Sequence, residues 1–215
     1  STWNEVVARG KYIVIEGQDG TGKTTQADLL QAYLEAQGIT VLHTKEPGGL
    51  PVGEAIRSVL LNGTLPRKPM TNLLLFTANR HELWESVINP ALEEGTWVIC
   101  TRNYWSTIAY QGSGEGMDTD TIHRVTAEFT APEYISPDIA VILSFSDTSV
   151  RLKRIAERGA ISNPDTFESK ETGFQQRVQE AYPTIAEEFG VRVIDANQSV
   201  SDIQKTIQAV VDAMR

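Results

Sequence analysis

Apolar positions in this chain follow two alternating rhythms. Five short runs rich in β-branched residues begin at Tyr12, Ile39, Thr96, Ile139 and Val191, reading YIVIE, ITVLHT, TWVICT, IAVILSF and VRVIDA. They are nearly continuous in apolar character. A strand with one face in water alternates, whereas a strand covered on both faces does not, and parallel sheets flanked by helices supply strands of the second kind. Between the runs, helical spacing predicts helices over 24–37, 52–61, 70–94, 118–130, 149–158, 168–189 and 199–214. Gly38 and Gly95 stand just past two of these segments, where a left-handed residue ends a helix without steric cost. The alternation predicts an α/β fold, three layers α/β/α around a five-stranded parallel sheet, in a single domain over 1–215. Two polar stretches, 111–120 and 158–170, resist assignment and read as loops, the second as a lid over approximately 158–172.

The first connection carries the strongest chemical signal. In EGQDGTGKTT, residues 16–25, Gly17, Gly22, Lys23 and Thr24 satisfy GxxxxGK(S/T), with a strand before and a helix after. This is the phosphate loop of the P-loop NTPase fold. Its glycines let successive N–H groups turn inward on a phosphate, and the helix N-terminus adds its positive end. The expected nucleotide-binding residues are Gly17, Gln18, Asp19, Gly20, Thr21 and Gly22, followed by Lys23, Thr24 and Thr25. Lys23 is expected on the β/γ-phosphates of ATP and Thr24 on Mg²⁺. A phosphate loop does not by itself identify the acceptor.

Charge narrows the acceptor. With 19 basic against 28 acidic residues the chain carries a formal charge of −9, which argues against nucleic acid and leaves small-molecule nucleotides as partners. Cys100 is the single cysteine, which excludes an intrachain disulfide and fits the cytoplasm. No apolar stretch approaches the roughly 20 residues that span a bilayer, so no membrane partner is expected. His43, His81 and His123 lack metal-ligand spacing.

Four further segments fall at strand ends or on the helices that follow: TKEPGG, EAIRSVL, LLLFTANRHE and TRNYWSTIAYQG. Together with the phosphate loop, these resemble the thymidylate kinase family, whose patterns run approximately EGxDGxGKTTQ, REPGG, ExxR, LLFxAxR and DRYxxSxxAYQG. The resemblance spans about 190 residues and implies transfer of the ATP γ-phosphoryl group to a deoxypyrimidine monophosphate, most plainly dTMP, by a Mg²⁺-dependent homodimer. Phe76 can stack on the base, and Arg80, one helical turn later, can donate to its O4. By resemblance, Thr107 and Gln111 address the N3 edge, with Ser106 beside them. Tyr110 crowds the ribose 2′ position, and Asp19 holds the 3′-OH. Arg57 and Arg102 clamp the acceptor phosphate, with Lys45 and Glu46 close to the reacting centre and the EPGG backbone, Pro47 included, shaping that corner. Singly, Phe76 would read as core packing and Arg57 or Arg80 as surface charge. Their order beside the phosphate loop joins them into a site.

Three departures stand out. Thr101 replaces the aspartate of DRY, so Glu46 or Asp19 is expected to carry more of the charge balance near the metal. Lys45 replaces the arginine of REPGG, keeping the charge without the planar fork. Neither the phosphate loop nor the lid holds the family's catalytic arginine, for which Arg154 or Arg158 is the expected substitute. The candidate catalytic set is therefore Asp19, Lys23, Glu46, Arg102, Arg154 and Arg158. The alternatives open at this point are a kinase for dUMP or a 5-modified dUMP, and a nucleotide-binding regulator without turnover.

Overall fold

The computed structural model describes residues 5–145, 149, 153, 156, 157, 170 and 172–215. The five apolar runs form five parallel strands in the order β2-β3-β1-β4-β5, with β1 Tyr12–Gly17, β2 Val41–Lys45, β3 Trp97–Thr101, β4 Ile139–Ser144 and β5 Arg192–Asp195. Successive residues of β1 serve opposite cores. Tyr12 and Val14 pack with Leu73, Trp84, Tyr134 and Val178 on one face, while Ile13 and Ile15 pack with Leu30, Leu34, Ile203 and Ile207 on the other. Burial on both faces is the physical reason the run does not alternate.

Helices α1 Lys23–Glu35 and α9 Val200–Ala213 cover the second face. The first is covered mainly by α3 Pro69–Leu83, α6 Thr119–Phe129 and α8 Thr172–Phe189, with α2 Pro51–Leu61 against α3. The three-layer α/β/α expectation holds. The phosphate loop follows β1, whose neighbours β3 and β4 lie on either side of it, so the chain's crossovers diverge there. Ligands of open α/β sheets bind at such points.

Two segments depart from the sequence reading. The helix predicted over 70–94 is continuous but not uniform: a π-helical segment Trp84–Ile88 separates α3 from α4 Asn89–Glu93. Pro90 lacks the N–H that would close an α-turn on Ser86, and widening the preceding turn accommodates that loss. The stretch 111–120, expected as a loop, is helical at its start. After α5 Tyr104–Thr107 the chain continues as a π-helix Ile108–Gly114, and α7 Pro132–Ile135 is a further short helix missed in the sequence. Gly112 and Gly114 make this segment look unstructured, yet both are buried. A Cβ on Gly114 would land on the Phe174 ring of α8, and the Gly114 carbonyl accepts from Arg177 Nη2 at 3.1 Å. Gly114→Ala is therefore expected to destabilise the fold by about 1–3 kcal/mol through overpacking. Urea unfolding checks this, and an unchanged midpoint would refute the close contact.

Candidate active site

The phosphate loop takes its shape from glycines with positive φ. Gly17 (147°) comes so close to β4 that an added Cβ would meet the Leu143 carbonyl, and Gly22 (92°) caps α1 in the left-handed region. Lys23 opens α1 and donates from Nζ to the Gln18 carbonyl at 3.1 Å. Thr21 Oγ1 donates to the same carbonyl at 2.7 Å. The loop floors a cleft of about 630 Å³ whose walls include Lys23, Thr24, Lys45, Thr101 and Arg102. Thr24 is exposed in the first turn of α1.

A second, narrower slot lies beside it. Phe76, Arg80, Tyr110 and Gln111 line its depth, with Pro47, Leu61 and Ser106. Asp19, Glu46, Arg57 and Arg102 belong to the walls of both cavities. The cleft and the slot thus meet at two arginines and two carboxylates. That is the arrangement a reaction between two phosphates requires, because the charge on the moving group must be met where donor and acceptor approach.

Arg102 sits at this junction with φ at 75°, in the left-handed region and costly for a residue with a Cβ. Its Nη2 pairs with Asp19, its Nη1 donates to Ser106 Oγ at 2.8 Å, and its guanidinium lies 5.5 Å from the Tyr110 ring centroid. Ser106 Oγ in turn donates to Glu16 Oε1 at 2.5 Å. Burial opposes the Arg102 charge, but Asp19 and neighbouring oxygens raise its pKa well above the ordinary arginine value. Burial likewise pushes the Tyr110 phenol up, so it stays a neutral donor. Arg57 lies on the other side of the junction and donates from Nη1 to the Pro47 carbonyl at 2.9 Å.

The depth of the slot is a buried ion pair. Arg80 is 1% exposed and Glu46 3%. Arg80 Nε donates to Glu46 Oε1 at 2.6 Å and Nη2 to the Asn103 carbonyl at 3.2 Å, while the guanidinium lies 5.2 Å from the Phe76 ring centroid. Burial pushes the Glu46 carboxyl up, and Arg80 and the Tyr134 hydroxyl pull it back. Among the described residues, Arg80 Nη1, Thr107 Oγ1 and both amide atoms of Gln111 are buried without a hydrogen-bond partner. Such atoms cost about 1–3 kcal/mol each and call for an explanation. Thr107 and Gln111 stand one helical turn apart where α5 runs into the π-helix.

The structure thus gathers Asp19, Lys23, Lys45, Glu46, Pro47, Arg57, Phe76, Arg80, Arg102, Ser106, Tyr110 and Gln111 around two joined cavities. Glu46, expected beside the reacting centre, spends its carboxylate on Arg80 and Tyr134. Arg154 and Arg158, with most of the expected lid, lie outside the described residues. The sequence reading missed Glu16, fully buried at the end of β1, which accepts from Asn103 N at 3.0 Å and from Ser106. A carboxylate closing an apolar run was the available signal. It also missed Asn79, which brackets the Gly48 peptide with bonds of 2.7 and 2.9 Å and fixes the EPGG turn. His43 pairs with Asp28 at 3.2 Å and His81 with the Phe129 carbonyl at 2.8 Å, both away from these cavities' depths.

A parallel sheet with this loop after its first strand is the P-loop NTPase fold, and the slot facing the loop makes it a fold with room for a second ligand. Comparison with known proteins gives the finer assignment. The model of the thymidylate kinase family matches residues 15–207, and the chain belongs to that family. It is 40% identical to a thymidylate kinase of Nitrosospira multiformis over 93% of this chain and 96% of that one, and 36% identical to one of Deinococcus radiodurans over 95% and 98%. The crystal structure of thymidylate kinase from Ehrlichia chaffeensis superposes with a TM-score of 0.75 at 29% identity, covering 95% of this chain and 99% of that one.

Proposed function

We propose that this protein transfers the γ-phosphoryl group of Mg·ATP to the 5′-phosphate of a deoxypyrimidine monophosphate, dTMP above all, giving dTDP and ADP. Family membership supports the reaction, and one observation carries the assignment of the acceptor. The slot holds a buried guanidinium N–H and a buried primary amide without partners, beside an aromatic ring. Thymine offers a flat face for Phe76, an O4 acceptor for Arg80 Nη1, and an N3–H donor for the Gln111 amide oxygen. Cytosine would point its amino group at the Arg80 donor, leaving both unpaired.

Lys23 and the loop N–H groups would hold the donor phosphates, and Arg102 and Arg57 the acceptor phosphate. Because the acceptor oxygen is already anionic, positioning and charge carry the step and no strong base is needed. Asp19, expected at the 3′-OH, balances Arg102 meanwhile. Thr24, exposed and part of the cleft wall at the end of the loop, fits a magnesium ligand through its hydroxyl. When bound, that ion supplies charge neutralisation on the phosphate oxygens. The same proposal includes a cytoplasmic location and a homodimer, the second supported by exposed apolar side chains on neighbouring helices, Val52 and Val59 of α2 and Met70 and Leu74 of α3. Among the described residues no helix is long and apolar enough to cross a membrane.

The test is ADP release from purified protein with Mg·ATP and, in turn, dTMP, dUMP, a 5-modified dUMP, dCMP and dGMP. Turnover of dTMP is expected at least about 100-fold above dCMP, since a site built to bond a polar edge rejects the wrong one strongly. The methyl group alone should separate dTMP from dUMP by about 10–200-fold. Comparable rates on dCMP would contradict the base assignment, and nucleotide binding without turnover on any acceptor would favour a regulator.

A further inference from the structure

We propose that Tyr134 is a positioning residue for pyrimidine recognition, acting through Glu46 on Arg80. The proposal deepens the reading above and rests on Arg80 meeting the base.

Tyr134 lies on α7, a short helix outside all the motif segments, and is fully buried. Its hydroxyl sits 2.8 Å from Glu46 Oε2 and 3.0 Å from Oε1. The phenol carries one proton, so it spans the carboxylate and donates across both oxygens. Burial and the Glu46 charge both push its ionisation well upward, which keeps that proton in place. Glu46 Oε1 also takes Arg80 Nε, and Asn103 takes Nη2, which leaves Nη1 without a protein partner.

The arrangement decides which guanidinium nitrogen is left for a ligand. A carboxylate free to turn about its last, broad torsion pairs with arginine preferentially at two points, fork to fork. Tyr134 occupies Oε2 and fixes that torsion, so the pair is held at one point. Removing the hydroxyl releases Oε2 to a second guanidinium nitrogen. The guanidinium then turns toward Glu46, and Nη1 leaves the position from which it donates into the slot.

The Tyr134 ring is held independently of its hydroxyl. It stacks on Tyr12 with centroids 6.2 Å apart and meets Trp84 edge-on at 5.9 Å and Tyr104 at 6.1 Å. Tyr134→Phe therefore keeps the packing and deletes only the donor.

Steady-state kinetics on Tyr134→Phe should give a KM for dTMP raised about tenfold, the loss of one well-placed charge-assisted bond. The KM for ATP should stay within about twofold, and the preference for dTMP over dCMP should narrow by a similar factor of about ten. A merely structural role would lower the melting temperature and move both substrates together. In an Arg80→Met background, or in Glu46→Gln if that variant fails to fold, Tyr134→Phe should add no further loss of dTMP binding. A tenfold loss that persists there overturns the relay. An unchanged KM for dTMP in Tyr134→Phe, with Arg80→Met still impaired, also overturns the relay but leaves the base assignment standing. An unchanged KM in both removes the base assignment as well.

Discussion

Lys23→Met is expected to lower kcat by about 10³-fold or more, the loss seen when a preorganised cationic donor at a transferring phosphoryl group is removed. Methionine keeps the unbranched chain and its helix propensity, and the position is 9% exposed, so the packing of the stem survives. The charge does not. Without it, the loop N–H groups and the α1 N-terminus remain to hold the phosphates, so ATP binding should weaken far less than transfer. Coupled ADP release at saturating dTMP and ATP measures the first, and titration of ATP against the variant the second. Transfer within tenfold of the unaltered protein would mean that Lys23 does not meet the γ-phosphoryl group.

Arg80→Ala should have two separate effects of comparable size. Deleting the guanidinium leaves the buried Glu46 carboxylate without its counter-charge, and breaking a buried ion pair at one partner costs about 3–5 kcal/mol. Urea unfolding should show that loss, and adding Glu46→Gln should recover part of it. Binding of dTMP should fall far more than binding of ATP, because the phosphate loop is untouched. The stability of the variant should also respond to acid in a defined direction. Unpaired burial raises the folded-state pKa of Glu46 above its unfolded value, in the direction it already tends with Arg80 present. Between those two values the folded chain holds a proton that the unfolded chain has released. Stability is then greatest below the unfolded pKa and falls as pH rises through the folded one. Melts between about pH 5 and 8 should show Arg80→Ala gaining on the unaltered protein as pH drops. A parallel pH response in the two proteins would mean that Glu46 is not left without a counter-charge.

The centre of the sheet was legible because β1, β3 and β4 are buried on both faces, so their apolar runs have no competing polar rhythm. Tyr12 to Ile15 belong to two cores at once. β2, at the edge of the sheet and only partly buried, begins at Val41 and not at Ile39 as its run suggests. The phosphate loop was legible because glycines at positive φ leave a fixed spacing. The segment after β3 was not. Its Gly112 and Gly114 are helical and buried, the first against α6 and the second against α8, and a glycine chosen for lack of volume looks the same in sequence as one chosen for backbone freedom. At the site, Phe76 and Arg80 could be paired by helical spacing alone. Tyr134, 54 positions further along the chain and in no motif, could be joined to Arg80 only through Glu46 once the fold brought them together.

Arg102 is the one non-glycine with positive φ among the described residues. Its backbone would relax as glycine, releasing about 1–2 kcal/mol of local cost. The same change would delete one of the two cations that the cleft and the slot share. Anyone selecting sturdier variants of this protein by heat resistance alone would therefore be drawn toward a molecule that survives longer and works less, because the chain stores part of its capacity for chemistry as a conformation it would otherwise avoid.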